Sequence, residues 1–288
     1  MLITGSGGMV GRAVSDYCRS MGDLVSSYDH SELDISDSDR VRHTLQRDKP
    51  DAVINCAAWT DVDGCELNSE RSFAVNASGS ENLARESREI NAGLVTISTD
   101  YVFDGDKEGF YTQRDHPNPT SAYGVAKLEG ERKAQLCYAR TIVVRTGFVF
   151  GFGGTNFLST IVERARRGDK LKAIADSFGT PTYSYDLAVR LRELAQLDLP
   201  GTFHVVNSGE GVSYEGFARA ALDLAGYSST ALEGIAASSL NRPAPRPRNS
   251  RLRCLLSEAI GLTALPLWKD SLRDFLDLEA RNELAAKT

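Results

Sequence analysis

The chain has 288 residues, of which 41% are hydrophobic and 25% charged, and a formal net charge of -6. That length suits one large domain or two closely packed ones, with enough apolar residues for a sizeable core. The acidic balance argues against nucleic-acid binding by bulk charge, and no apolar run approaches the roughly 20 residues of a membrane span.

Along the first 150 residues, short β-rich runs alternate with longer helical stretches, the pattern of βαβ units around a parallel sheet. The expected strands are Leu2 to Thr4, Leu24 to Tyr28, Ala52 to Ala57, Leu94 to Ser98 and Thr141 to Arg145. They are apolar without alternation, as strands covered by helices on both faces are. Helices are expected near 10–21, 37–48, 69–91 and 121–138, with Ser36, Ser69 and Ser121 as N-terminal caps of the last three. Beyond residue 150 the regularity weakens. Helices are expected near 156–167, 185–197, 214–226 and 270–285, and strands near 171–175 and at Phe203 to Val206. The basic, proline-rich stretch from Asn241 to Arg248 fits neither a regular helix nor a central strand. The expected fold is therefore α/β: a Rossmann-type doubly wound parallel sheet over residues 1–150, followed by a smaller, mostly helical substrate-binding region over 151–288, partly interleaved with the first.

Cys18, Cys56, Cys65, Cys137 and Cys254 are an odd set without C-x-x-C spacing, so neither a disulfide framework nor a zinc site is expected. The four histidines also lack metal-ligand spacing, and no metal is expected. Because the first strand starts almost at the first residue, no signal peptide is expected and the cytoplasm is the expected compartment.

Thr4-Gly5-Ser6-Gly7-Gly8-Met9-Val10-Gly11 follows a strand and opens a helix, the context in which a glycine turn brings its backbone close to a dinucleotide pyrophosphate at a helix N-terminus. An acidic residue some 20 positions later would bond the adenosine ribose. Asp29 stands there and favours NADH, while His30 and Arg12 lie close enough in sequence to accommodate a 2′-phosphate, so NADPH and NADH both stay open. Tyr123 and Lys127 occupy i and i+4 of an expected helix, which puts a phenol and an ammonium on one face. A nearby cation lowers a phenol's pKa and suits it to proton transfer. Thr99, at the carboxyl end of a strand where open α/β sheets place their ligands, is the expected partner for the same substrate oxygen. These residues point to hydride transfer from a nicotinamide coupled to proton transfer.

Thr4-Gly5-x-x-Gly8-x-x-Gly11, Asn55-Cys56-Ala57-Ala58, Tyr123-x-x-x-Lys127 and Arg145-Thr146 together resemble the extended short-chain dehydrogenase/reductase superfamily. Thr60-x-Val62-Asp63, Ser98-Thr99-Asp100-Tyr101-Val102-Phe103-Asp104-Gly105, Asn156-Phe157, Asp176-x-Phe178-Gly179-x-Pro181-Thr182 and Arg246-Pro247-x-Asn249-Ser250-x-Leu252 narrow that resemblance to the dTDP-4-dehydrorhamnose reductase family. The resemblance implies reduction of the C4 ketone of a dTDP-4-dehydro-6-deoxyhexose by NADPH or NADH. It makes Tyr123 the proton donor, Lys127 the residue that holds the nicotinamide ribose, and Thr99 the residue that tunes Tyr123. It places Gly8, Met9 and Val10 at the pyrophosphate, Asp34 and Ile35 at the adenine, and Ala57, Ala58 and Trp59 along the cofactor. Asp100, Phe148, Asn156 and Arg248 fall on the sugar nucleotide.

The chain also departs from that pattern. Phe148 stands where the family often has tryptophan, and Ser177 replaces a usual glutamine. The segment Arg12-Ala13-Val14-Ser15 offers no glutamate for a magnesium ion between subunits, so any homodimer is expected without a metal bridge. Two other readings share the motifs: a 4-ketoreductase of another dTDP-deoxysugar pathway, and a non-catalytic regulatory subunit of the methionine adenosyltransferase beta type, against which the intact Tyr123, Lys127 and Thr99 count.

Overall fold

A computed structural model describes residues 1–154 and 157–285. Successive residues of a strand point to opposite faces of a sheet, and the apolar runs of this chain use both. Leu2, Val53 and Leu94 pack with Leu45 and Leu83 on one side, whereas Ile3, Ile54 and Val95 pack with Val14 and Leu191 on the other. Burial on both faces is what makes the runs continuous in sequence.

The elements of the first half are β1 (Leu2–Thr4), α1 (Met9–Ser20), β2 (Ser26–Tyr28), α2 (Ser38–Asp48), β3 (Ala52–Asn55), α3 (Val62–Leu67), α4 (Ser69–Phe73), α5 (Gly79–Glu89), β4 (Gly93–Thr99), α6 (Ala122–Cys137) and β5 (Thr141–Thr146). Next come β6 (Val149–Phe150), α7 (Phe157–Arg166), β7 (Leu171–Ile174), β8 (Phe178–Gly179), β9 (Thr182–Tyr183), α8 (Ser184–Leu197) and β10 (Gly201–His204). The last are β11 (Val212–Ser213), α9 (Tyr214–Leu224), β12 (Leu232–Ile235), α10 (Leu255–Ala259) and α11 (Trp268–Ala285).

Six strands form one parallel sheet in the order β10-β5-β4-β3-β1-β2. The winding reverses between β1 and β3, and ligands of open α/β sheets bind outside the carboxyl ends of the strands at such a reversal. The chain returns to this sheet after its irregular middle: β10 pairs with β5, and Leu187, Leu191 and Leu194 of α8 join the core on the α1 side. A second core forms where Leu158 of α7, Phe217 of α9 and Leu272 and Phe275 of α11 enclose Phe150 and Tyr183.

Local details differ from the sequence expectations: β2 starts at Ser26 and not at Leu24, and β3 ends at Asn55 and not at Ala57. The side chain of Asp37, not Ser36, caps α2 by accepting from the Asp39 and Arg40 amides, and Asn68, not Ser69, caps α4. In each case the neighbouring residue has the extended or open backbone that lets its side-chain oxygen turn back on the first turn. Ser121 caps α6 as expected, accepting from Gly124 N at 3.2 Å. The expected helix over 69–91 contains a π turn at Ala74–Ser78 between α4 and α5. The last expected strand is shifted, with β10 ending at His204.

Candidate active site

The glycine turn after β1 and the Cys56-Ala57-Ala58 run after β3 flank the point where the sheet reverses. Gly5 has φ +66°, and a Cβ there would lie 2.7 Å from Ala57 N. A Cβ on Gly11 would overlap the Gly5 carbonyl oxygen. The turn can close against α1 only without these side chains, which leaves its backbone free to approach a ligand. In front of it opens a cleft of about 960 Å³, lined by residues of both halves of the chain.

The structure brings nearly every expected residue to this cleft. Gly5, Gly8, Met9, Val10, Gly11, Asp29, Asp34, Ile35, Ala57, Ala58, Trp59, Thr99, Asp100, Tyr123, Lys127 and Phe148 all line it. Arg248 does not. Its side chain is exposed and outside the lining, while its carbonyl accepts from Phe178 N at 2.8 Å. Asn156 lies outside the described residues.

Asp29 directly follows β2, with its Oδ1 accepting from Ser31 N at 2.8 Å, Ser31 Oγ at 2.7 Å and Glu32 N at 3.1 Å. The Ser31 hydroxyl, then these amides, hold its carboxyl below the usual range. The loop thus presents a fixed carboxylate at the cleft wall. Behind the lining, Asn76 in the π turn brackets the backbone of Trp59: its Oδ1 accepts from Trp59 N and its Nδ2 donates to Trp59 O, both at 3.0 Å. π turns inside helices often mark functional sites, and this one points a side chain at the cleft wall.

α6 places Tyr123 and Lys127 one turn apart, both buried. Lys127 Nζ donates to the Ile97 carbonyl at 2.6 Å. Burial pulls its pKa down to about 8, opposed by the Glu131 carboxylate one turn further along the helix. Burial pushes the Tyr123 phenol well above its ordinary value, while the Thr99 hydroxyl draws it partly back and the Asp100 carboxylate adds to the rise. The expectation of a phenol lowered by its lysine is thus reversed: desolvation of the phenolate dominates, and the Lys127 ammonium is turned to a backbone oxygen. A phenol so placed stays protonated and is poised to donate.

Two polar arrangements fix the floor. Arg145 on β5 forks onto Glu131 at 2.9 and 2.6 Å, and Ser98 Oγ donates to Glu131 at 2.5 Å, all buried. This ties α6 to β4 and β5 beneath Lys127. Asp100, also buried, accepts from Thr99 Oγ1 at 3.0 Å and from Ser250 Oγ at 2.5 Å. Burial lifts its pKa to about 6 despite those hydroxyls.

Sequence reasoning named Phe148 but missed the aromatic residues packed around it. Tyr214 stacks on Phe148 at 4.1 Å between ring centroids, Phe157 meets Tyr214 edge-on at 5.1 Å, and Tyr101 meets Tyr123 edge-on at 6.1 Å. Phe148 itself has φ +46°, an uncommon backbone for an aromatic residue. Arg246 forks onto Asp63 at 2.6 and 2.7 Å, which joins the proline-rich stretch to α3. Tyr101 and Asp63 sat inside quoted motifs and could have been found there, but nothing local to Tyr214 signals its place.

A parallel sheet with this glycine turn and this Tyr-Lys-Thr group defines an oxidoreductase of the extended short-chain, Rossmann type. The chain belongs to the family described as RmlD substrate binding domain, whose model matches residues 1–281. It is 37% identical over 277 residues to the dTDP-4-dehydrorhamnose reductase of Mycolicibacterium smegmatis, covering 95% of this chain and 84% of that one. Among solved structures it is similar to a dTDP-4-dehydrorhamnose reductase from Clostridium acetobutylicum, with a TM-score of 0.93 and 36% identity over 97% of this chain and 99% of that one. It is also similar to the Bacillus anthracis dTDP-4-dehydrorhamnose reductase in complex with NADP, with a TM-score of 0.92 and 31% identity over 95% and 97% of the two chains.

Proposed function

We propose that the protein reduces the C4 ketone of a dTDP-4-dehydro-6-deoxyhexose, converting dTDP-4-dehydro-L-rhamnose to dTDP-L-rhamnose, with NADPH or NADH as reductant. The observation that carries this reading is the convergence of Tyr123, Thr99 and Lys127 on one cleft with the glycine turn. The residues present fit a dinucleotide: the cradle at Gly5 and Gly11 has no room for side chains, and the helix N-terminus of α1 opens directly behind it.

When bound, a nicotinamide would supply the hydride that reduces C4. Tyr123 delivers the proton to the C4 oxygen, so the carbonyl becomes an alcohol and the phenolate is reprotonated from solvent. Its burial keeps the proton in place until charge develops on the sugar oxygen. Thr99, whose hydroxyl donates to Asp100 in the structure, would turn that donor to the same oxygen and orient it. Lys127 would hold the nicotinamide ribose and stabilise the phenolate left behind.

A second reading keeps this chemistry and changes the sugar. Phe148, stacked on Tyr214, stands where an indole donor is common in the family, and this favours an altered contact with the hexose. A panel of dTDP-4-ketosugars assayed with both cofactors decides: the highest kcat/KM for the rhamnose precursor supports the first reading, and a higher value for another ketosugar replaces it. No oxidation of NADPH or NADH with any ketosugar sinks both.

A further inference from the structure

Five charged side chains line the cleft beside His30. Three are the carboxylates of Asp29, Asp34 and Asp100, and a fourth, Lys127, is buried on the Ile97 carbonyl. The fifth is Arg71, on the first turn of α4. Its guanidinium carbon lies 4.6 Å from the centroid of the Trp59 ring. Among the described residues no carboxylate pairs with it, whereas Arg246 nearby has its fork closed on Asp63.

Among the described residues no acceptor takes a hydrogen bond from the guanidinium, which meets Trp59 through its π face. Its N–H donors lie in the plane, so their edge stays available for a bidentate acceptor such as phosphate. A ring beneath the cation also limits its rotamers, and less freedom is lost when a ligand docks. The platform is itself fixed, because Asn76 holds Trp59 through both its N–H and its carbonyl and Asn68 Oδ1 accepts from Arg71 N at 3.0 Å. Three of the five charged side chains at the cleft are carboxylates, so a free cation there suits ligands that carry diphosphates.

We propose that Arg71, mounted on Trp59, is a phosphate-binding residue of this cleft. The inference rests on the function proposed above, whose two ligands, a dinucleotide and a nucleotide sugar, both carry a diphosphate. The test is calorimetric titration of the whole chain and of its Arg71→Ala and Arg71→Lys variants with ADP-ribose, dTDP, adenosine and thymidine. In Arg71→Ala, the affinity for one of the diphosphates is expected to fall about tenfold, with both nucleosides unaffected. The lysine, which keeps charge without the fork, should recover part of the loss. Loss confined to ADP-ribose assigns Arg71 to the dinucleotide; loss confined to dTDP assigns it to the sugar nucleotide. Unchanged affinities for both diphosphates, or equal losses for nucleosides and diphosphates, overturn the proposal. A parent chain that binds neither diphosphate overturns the proposed function and this inference with it. A parent that binds both, with Arg71→Ala unaltered, overturns this inference alone.

Discussion

The two sides of the cleft are built differently. The side facing the glycine turn comes from the carboxyl ends of β1, β2 and β3, where each residue is fixed by its own short segment. The side facing Phe148 is assembled from distant segments: Tyr214 arrives with α9, and Ser250 reaches Asp100 across 150 positions. A shared fold can therefore keep the first side almost constant while the second varies, which is where sites grafted onto a common scaffold diverge.

Tyr123 sits at the seam and gives the sharpest way to separate the sides. Tyr123→Phe removes the donor oxygen and keeps the ring against Tyr101, so kcat should fall by about 10²–10⁴ while the dissociation constant for NADPH stays within about twofold. Steady-state oxidation of NADPH together with direct binding measures both. A comparable loss of cofactor binding would show that the two sides are not energetically separate.

Next in size is the floor that both sides share. Glu131 neutralises Arg145 out of water, and removing one partner of a buried pair leaves an uncompensated charge. Glu131→Gln should cost about 3–5 kcal/mol of folding stability, read by denaturant unfolding, and Glu131→Gln with Arg145→Met should recover much of it. If the double variant is no more stable than the single, the loss lies in the bond to Ser98 and not in the orphaned cation.

How far the sequence disclosed this molecule follows the same division. Gly5, Gly11, Tyr123, Lys127 and Thr99 were legible because each belongs to a window of a few residues governed by a local rule: positive φ, i to i+4 adjacency, the end of a strand. The caps of α2 and α4 were one residue off because Ser, Asp and Asn compete for the same role and the backbone decides among them. The π turn at Ala74–Ser78 was hidden because it depends on packing: a Cβ on Gly130 of α6 would overlap the Asn76 carbonyl, so the two helices meet backbone to backbone there. Tyr214 could not be read from its neighbours, since only the packing of α9 carries it to Phe148. The rise in the Tyr123 pKa was missed for a related reason. Spacing reveals the nearby ammonium but not the loss of water around the phenol.

The smallest expected effect concerns the tether between the sides. Asp100 joins the end of β4 to Ser250, and burial lifts its pKa from 3.8 to about 6. A carboxyl whose folded value is raised costs stability once it ionises. That cost is absent below the unfolded value, grows as pH rises through the window from 3.8 to about 6, and is complete above it. Asp100→Asn cannot ionise, so its stability relative to the parent should improve by on the order of 1–2 kcal/mol between about pH 5 and pH 7.5. Thermal or urea unfolding of both proteins at the two pH values reads this directly. The Asn variant still offers an oxygen to the Ser250 hydroxyl, so any loss common to both pH values reports the altered bond, and only the pH-dependent part reports the charge. A difference that does not change with pH would mean that the Thr99 and Ser250 hydroxyls compensate the buried carboxylate in full. The tether would then contribute geometry to the substrate side without making its stability depend on pH.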